Sequence, residues 1–280
     1  MNLTDIRQGK NGDCFILSTI ISILHTYGEE FINKILIKLD SNNYEFNYYI
    51  NNTNNEIIKT KINFIYPIDN NFCISPKSKD WVKQIEYIYI KLFYNNDNNK
   101  VINEGGIAKD VLTRLCGKKS KIIINRIFDN KTQLYYDICN ERINNYEWTN
   151  DFIKPLNIIS KYKLTIFIKR IWKLLTSYYI ILPNTYYNVK FPCVIGINGH
   201  FNINIPGIIN EHLYSVLGFM IDKYKNKYIY VFNPHHNVDA RITSYNEDKK
   251  TFISKIEKSR YGIWAFDEII VFISDFTYCK

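Results

Sequence analysis

The first sharp change of pattern along the chain falls at Cys14. A polar, glycine-punctuated stretch, Gln8-Gly9-Lys10-Asn11-Gly12-Asp13, gives way to an apolar run from Phe15 to Leu24. This predicts a loop entering a buried helix over 14–25. Tyr44 to Ile50 and Glu56 to Tyr66 lean to strand, and Trp81 to Phe93 reads as a helix. Gly105-Gly106 leads into a second helical segment, Ile107 to Leu115. The Asn-rich stretches 51–55 and 95–99 read as loops, because Asn tolerates turns and left-handed backbone angles. From 121 the pattern is mixed until Val189. Strand-like runs then dominate: Cys193 to Ile197, Leu213 to Ile221, Tyr228 to Phe232 and Ile269 to Ile273. No internal repeat is visible. The expected fold class is α+β, with a mainly helical part over 1–120 and a β-rich part over 121–280. A cleft is expected where the two meet.

The candidate chemistry sits at these pattern changes. A thiol at a helix N-terminus lies at the positive end of the macrodipole, which favours thiolate. Cys14 is so placed, and Gln8 on the approaching loop is an amide donor suited to an oxyanion. The strands 213–221 and 228–232 are joined by a polar turn and form a hairpin. Its geometry brings His212 and Asn233 to one end of the ladder. There an Asn amide oxygen can accept from an imidazole N–H and fix the ring's tautomer. Any one of these residues is commonly structural: a core cysteine, a strand-end histidine, a turn asparagine. Together they are the parts of a thiol acyl-transfer site.

These residues and their order resemble the protease core of calpains, the cytosolic branch of the papain-like cysteine peptidases. Residues 8–15 are similar to the family's Gln-Gly-x-x-Gly-Asp-Cys-Trp block, with Phe15 in place of the tryptophan. Glu211 to Val216 resembles its Gly-His-Ala-Tyr-Ser-Val block, departing at Glu211 and Leu213. Asn233-Pro234-His235-His236 resembles its Asn-Pro-Trp-Gly block, with His235 where the tryptophan shields the Asn–His pair. Between the blocks, Trp81-Val82, Glu86-Tyr87, Tyr89, Lys91-Leu92, Gly105-Gly106-x-Ala108 and Leu112-Thr113-x-Leu115-x-Gly117 are similar to further family segments. So are Trp264, Phe266-Asp267-Glu268 and Phe272 near the end. The resemblance implies a papain-like two-lobed fold, with Cys14 on the helical lobe, His212 and Asn233 on an antiparallel β lobe, and an insertion within 121–190.

Composition limits the partners. With 280 residues, 46% hydrophobic and 16% aromatic, the chain can bury one large core or two lobes. The net charge is +9, but Asn, Ile, Lys, Tyr and Phe are all in excess and share A/T-rich codons, so the charge is discounted. No nucleic-acid-binding signature accompanies it, and no nucleic-acid partner is expected. Lys161, Lys163, Lys169, Arg170 and Lys173, interleaved with apolar residues such as Trp172, could form an amphipathic helix for an acidic partner or membrane surface. The commoner explanation is a helix with one buried and one solvated face. Besides Cys14, Cys73, Cys116, Cys139, Cys193 and Cys279 show no pair spacing and are expected free, in a reducing, cytoplasmic compartment of its own or a host cell. No signal peptide is read before residue 8, no apolar run is long enough to span a bilayer, and a pro-segment is not expected ahead of Cys14. The Asn-x-Thr sites at Asn2, Asn51 and Asn130 are expected unmodified. His235-His236 with Asp239 is read as a polar loop and not a metal site, since adjacent side chains diverge. Many members of the resembled family respond to calcium. The aligned stretch Lys61-Ile62-Asn63-Phe64 lacks acidic ligands, so no metal or cofactor is expected.

The first functional expectation is an endopeptidase acting on protein substrates. A Cys14–His212 thiolate–imidazolium pair attacks the carbonyl, Gln8 and the Cys14 N–H hold the oxyanion, and Asn233 orients His212. Replacing His235 by Trp is expected to keep activity and broaden the acid side of the pH profile. Two alternatives share the triad or the fold: a glutamine deamidase or transglutaminase-like effector, and an inactive binding scaffold.

Overall fold

A computed structural model of the chain describes residues 1–9, 12–51, 56–65, 75, 77–94, 106–124, 126–129, 134–137, 158–197, 205–269 and 272–280. Lys10, Asn11, Cys73, Gly105, Asn130, Cys139, the loop expected at 95–99, most of that at 51–55 and much of the expected insertion lie outside the described residues.

The apolar run after Cys14 forms helix α1 (Cys14–Tyr27), which ends where Gly28 takes a left-handed φ of 78°. Every residue from Phe15 to Leu24 is buried. A helix buried all round must have packing partners on every side, and α1 has them. On one side lie α2 (Glu29–Ile35), α3 (Asp80–Phe93) and α4 (Ala108–Cys116), together with a sheet of three strands ordered β1 (Leu36–Lys38), β2 (Asn43–Asn51) and β3 (Ile57–Ile65). Their apolar residues form one cluster around α1, including Ile20, Phe46, Ile85 and Leu112.

On the other side lies a larger sheet. It contains β4 (Lys121–Ile124), β7 (Thr185–Asn188), β8 (Cys193–Ile197), β9 (His212–Ile221), β10 (Lys227–Phe232), β11 (Asp239–Asn246), β12 (Thr251–Lys258), β13 (Tyr261–Ala265) and β14 (Ile273–Tyr278). The spatial order is β12-β11-β13-β10-β9-β8-β14-β4, with β7 beside the far half of β9. Pairing is antiparallel except between β11 and β13. A second apolar cluster, around Trp264, Phe219, Phe276 and Tyr214, covers this sheet. A separate hairpin joins β5 (Arg126–Asp129) and β6 (Leu134–Asp137), and helix α5 (Ile158–Thr176) follows. In α5, Phe167, Ile171 and Leu175 are buried at helical spacing, while Lys169, Arg170 and Lys173 face solvent. Over 167–175 its apolar stripe is therefore packed into the protein's own core. Among the described residues no helix is long and apolar enough to cross a membrane.

One expected strand is displaced. Ile269 to Ile273 reads as a strand in sequence, yet Phe266–Ile269 forms the short helix α6 and β14 begins at Ile273. Asp267 and Glu268 favour a helix first turn, and the apolar run straddles the boundary between the two elements.

Candidate active site

The site begins with the face that α1 turns to the large sheet. Cys14, Ser18, Ser22 and His25 recur at helical spacing and share that face. Ser18 Oγ donates to Leu213 O (2.6 Å), and Ser215 Oγ donates back to Ser18 O (2.6 Å). Ser22 Oγ donates to Cys193 O (2.9 Å) and accepts from the Cys193 N–H (2.6 Å). His25 Nε2 lies 2.7 Å from Leu217 O. Each such bond is worth about 1 kcal/mol net, and together they fix the helix in rotation and register on β8 and β9. Cys14, one turn before Ser18, consequently faces the start of β9, where the Leu213 main chain hydrogen-bonds its sulfur.

His212 opens β9, opposite Ile197 at the end of β8. Asn233 directly follows β10, and the hairpin between them turns at Asp222–Asn226. His212 Nε2 is 2.9 Å from Asn233 Oδ1. The same oxygen accepts the His235 main-chain N–H at 3.0 Å. That main-chain donor identifies the atom as the amide oxygen, so His212 Nε2 must donate to it. His212 therefore carries its proton on Nε2, and Nδ1 is left as the basic nitrogen. Arg260 clamps the asparagine from outside. Its Nε donates to Asn233 O (2.9 Å), its guanidinium donates to Pro234 O (2.8 Å), and Arg260 O accepts the Asn233 N–H (2.9 Å). The His235 ring stands over His212, with centroids 4.8 Å apart and planes 31° from parallel.

Gln8 is buried, and its backbone is pinned to the same loop. Its N–H donates to Pro234 O (2.9 Å), it forms a parallel bridge with His235, and its carbonyl lies 3.0 Å from His236 Nδ1. His235 and His236 thus diverge, one to His212 and the other to Gln8. Among the described residues no three His, Cys, Asp or Glu side chains group as metal ligands.

The electrostatics differ from the expected ion pair. Burial pushes the Cys14 thiol up to about 12; the Leu213 main-chain bond opposes this, the Asp13 carboxylate adds to it, and main-chain bonds from Phe15 and Cys14 itself oppose it again. Burial also pulls His212 down to about 3, helped by His235 and opposed by Asn233. Burial is the first cause for both groups, and it favours a neutral thiol and a neutral imidazole.

Three contributors were not singled out in sequence. Asp13 is fully buried beside Cys14 and accepts from Ser75 Oγ at 2.6 Å. Its adjacency to Cys14 was the available signal. Ser75 and Arg260 carried none, since both reach the site through tertiary packing. Glu211, immediately before His212, adopts a left-handed φ of 51° with its side chain exposed. No protein-family model matches the chain, and no curated protein matches it in sequence.

Proposed function

We propose that the chain is a cysteine endopeptidase acting on protein substrates, similar to the protease core of calpains and built on the papain-like two-lobed plan. The observation that carries this reading is the 2.9 Å contact between His212 Nε2 and Asn233 Oδ1, beside a thiol whose sulfur meets the Leu213 main chain. In the mechanism, His212 Nδ1 takes the Cys14 proton as the sulfur attacks a peptide carbonyl. The oxyanion is held by the Gln8 side-chain amide and the Cys14 N–H. The protonated His212 gives its proton to the leaving amine, and water, activated by the same nitrogen, releases the acid and restores the thiol. Asn233 keeps the ring in the tautomer this requires, and Arg260 keeps Asn233 in place. The apolar cluster that includes α1 and the separate cluster over the large sheet are consistent with two lobes.

The test is a comparison of wild-type protein with Cys14→Ala in a cell lysate, read by mass spectrometry of peptide termini. New termini made by wild type alone are expected. Gln-to-Glu conversion without new termini would assign the site to deamidation, and no change of either kind would set enzymatic activity aside.

A further inference from the structure

The segments that carry Gln8 and Asn233 also carry a set of cations on the rim of the candidate site. Arg260 is held in place by its bonds to Asn233 O and Pro234 O and lies 4.3 Å over the Phe232 ring. Arg7 is close enough to Arg260 for the two guanidinium charges to oppose one another. Arg7 itself is exposed, with its N–H on Ser78 Oγ (2.8 Å) and its Nε on Thr4 O (3.3 Å). Lys77, also exposed, places Nζ 3.0 Å from His236 Nε2, whose other nitrogen faces Gln8 O. The three segments interlock: Lys79 N–H donates to Asp5 O, Arg7 N–H to Ser78 Oγ, and Gln8 N–H to Pro234 O.

Arg7, Lys77 and Arg260 form no ion pair with a carboxylate among the described residues, unlike Lys61, Lys83, Lys223, Lys227, Arg241, Lys255 and Lys258. Among the described residues, Asp5 and Asp13 of the same segments are engaged elsewhere. Asp5 receives the Asn2 N–H and the Trp81 indole N–H, and Asp13 is buried on Ser75. Lysine drift in an A/T-rich gene does not account for the two arginines, a residue that occurs seven times in the whole chain. Like charges held together, with no counter-ion among the described residues, raise the local potential for an anion and are themselves relieved by one. Arginine also offers a planar fork that fits a carboxylate.

We propose that the Arg7–Lys77–Arg260 rim selects acidic polypeptide, so that the segment entering the site carries Asp or Glu side chains against it. This rests on the acyl-transfer reading of the site, but its test does not require turnover. Cys14→Ala protein is immobilised and offered a degenerate peptide library, and the retained peptides are sequenced. Asp and Glu are expected to be enriched several-fold over the input. The enrichment should fall by roughly tenfold with Arg7→Glu and Lys77→Glu combined in the same background, and sharply in 0.5 M salt. Both substituted side chains are exposed, and an unchanged melting temperature confirms that the fold is kept. Retention with no acidic preference, no retention of any peptide, or a preference that survives the double substitution each overturns the proposal. If wild type cleaves the same library without acidic preference, the peptidase reading stands and the rim proposal fails. Acidic retention without cleavage gives the converse.

Discussion

At the scale of single residues, the protonation state of Cys14 is the most exposed to test. A neutral thiol pushed up to about 12 by burial should react slowly with iodoacetamide near neutral pH. Its rate should climb about tenfold per pH unit into the alkaline range, tracking the thiolate fraction. A fast, flat rate across the neutral range would instead establish a standing ion pair. The same point reverses one expectation about His235. Its ring lowers the proton affinity of His212. With His212 as a neutral base, His235→Trp keeps the ring stack and the main-chain bond to Asn233 but moves the acid limb of kcat/KM to higher pH. The profile narrows, and does not broaden as the ion-pair picture implies. Glu211 offers a test of stability alone. It stands at a left-handed φ where the resembled block has glycine, and its side chain is exposed. Relief of that strain by Glu211→Gly is expected to stabilise the fold by about 1 kcal/mol, measured by urea unfolding. The glycine of the resembled block is the one signal that Glu211 stands at a positive φ; the strand pattern itself carries none, because backbone angles at a strand entry are set by tertiary contacts.

At the scale of elements, α1 and the β9–β10 hairpin were legible because each has one dominant period and a clear stop. For α1 that stop is Gly28, and for the hairpin it is the Asp222–Asn226 turn. The bulge between Tyr230 and Val231 was not legible, since one extra residue in a ladder leaves no mark on hydrophobic alternation. The α6–β14 boundary was misplaced because an apolar run can be shared between a helix end and a strand start. The serines of α1 look out of place in a buried helix until β8 and β9 supply their partners. Gly106 shows how the entry to α4 depends on the start of α1. A Cβ there would lie 2.4 Å from the Phe15 ring and 2.5 Å from Tyr94 Oη. Phe15 adjoins Cys14, so the push would reach the thiol. Gly106→Ala should cost roughly 1–3 kcal/mol of stability and lower kcat/KM together with it, read by unfolding and by turnover on one preparation. Unchanged stability would show that Phe15 has room to move.

At the scale of the whole molecule, buried imidazoles set the acid sensitivity. Burial is the first cause holding His25, His212 and His235 below the ordinary histidine value. Between that value and the folded ones, the unfolded chain binds more protons, so stability falls as pH falls. Glu268 and Asp275, raised mainly by burial, act in the opposite direction. The melting temperature is expected to drop between about pH 7 and about pH 4.5, and the drop should shrink in His212→Gln. An equal drop in the two proteins would remove His212 as a contributor. The α+β class and the contact between His212 and Asn233 could be read from periodicity and motif. The charge state of the site and its cationic rim could not, because both arise where residues 5–9, 75–79, 233–236 and 260 converge.

The bridge between Gln8 and His235 ties the beginning of the chain to a segment made more than two hundred residues later. During synthesis, a growing polypeptide that has emerged only through α4 displays its thiol on a helix whose second packing surface has not yet been translated. The base arrives with β9, its orienting amide with the end of β10, and the clamp on that amide only at Arg260. On the proposed reading, a site assembled in this order has its base, its orienting amide and the clamp on that amide together only after Arg260 has been made, and it stays silent until then.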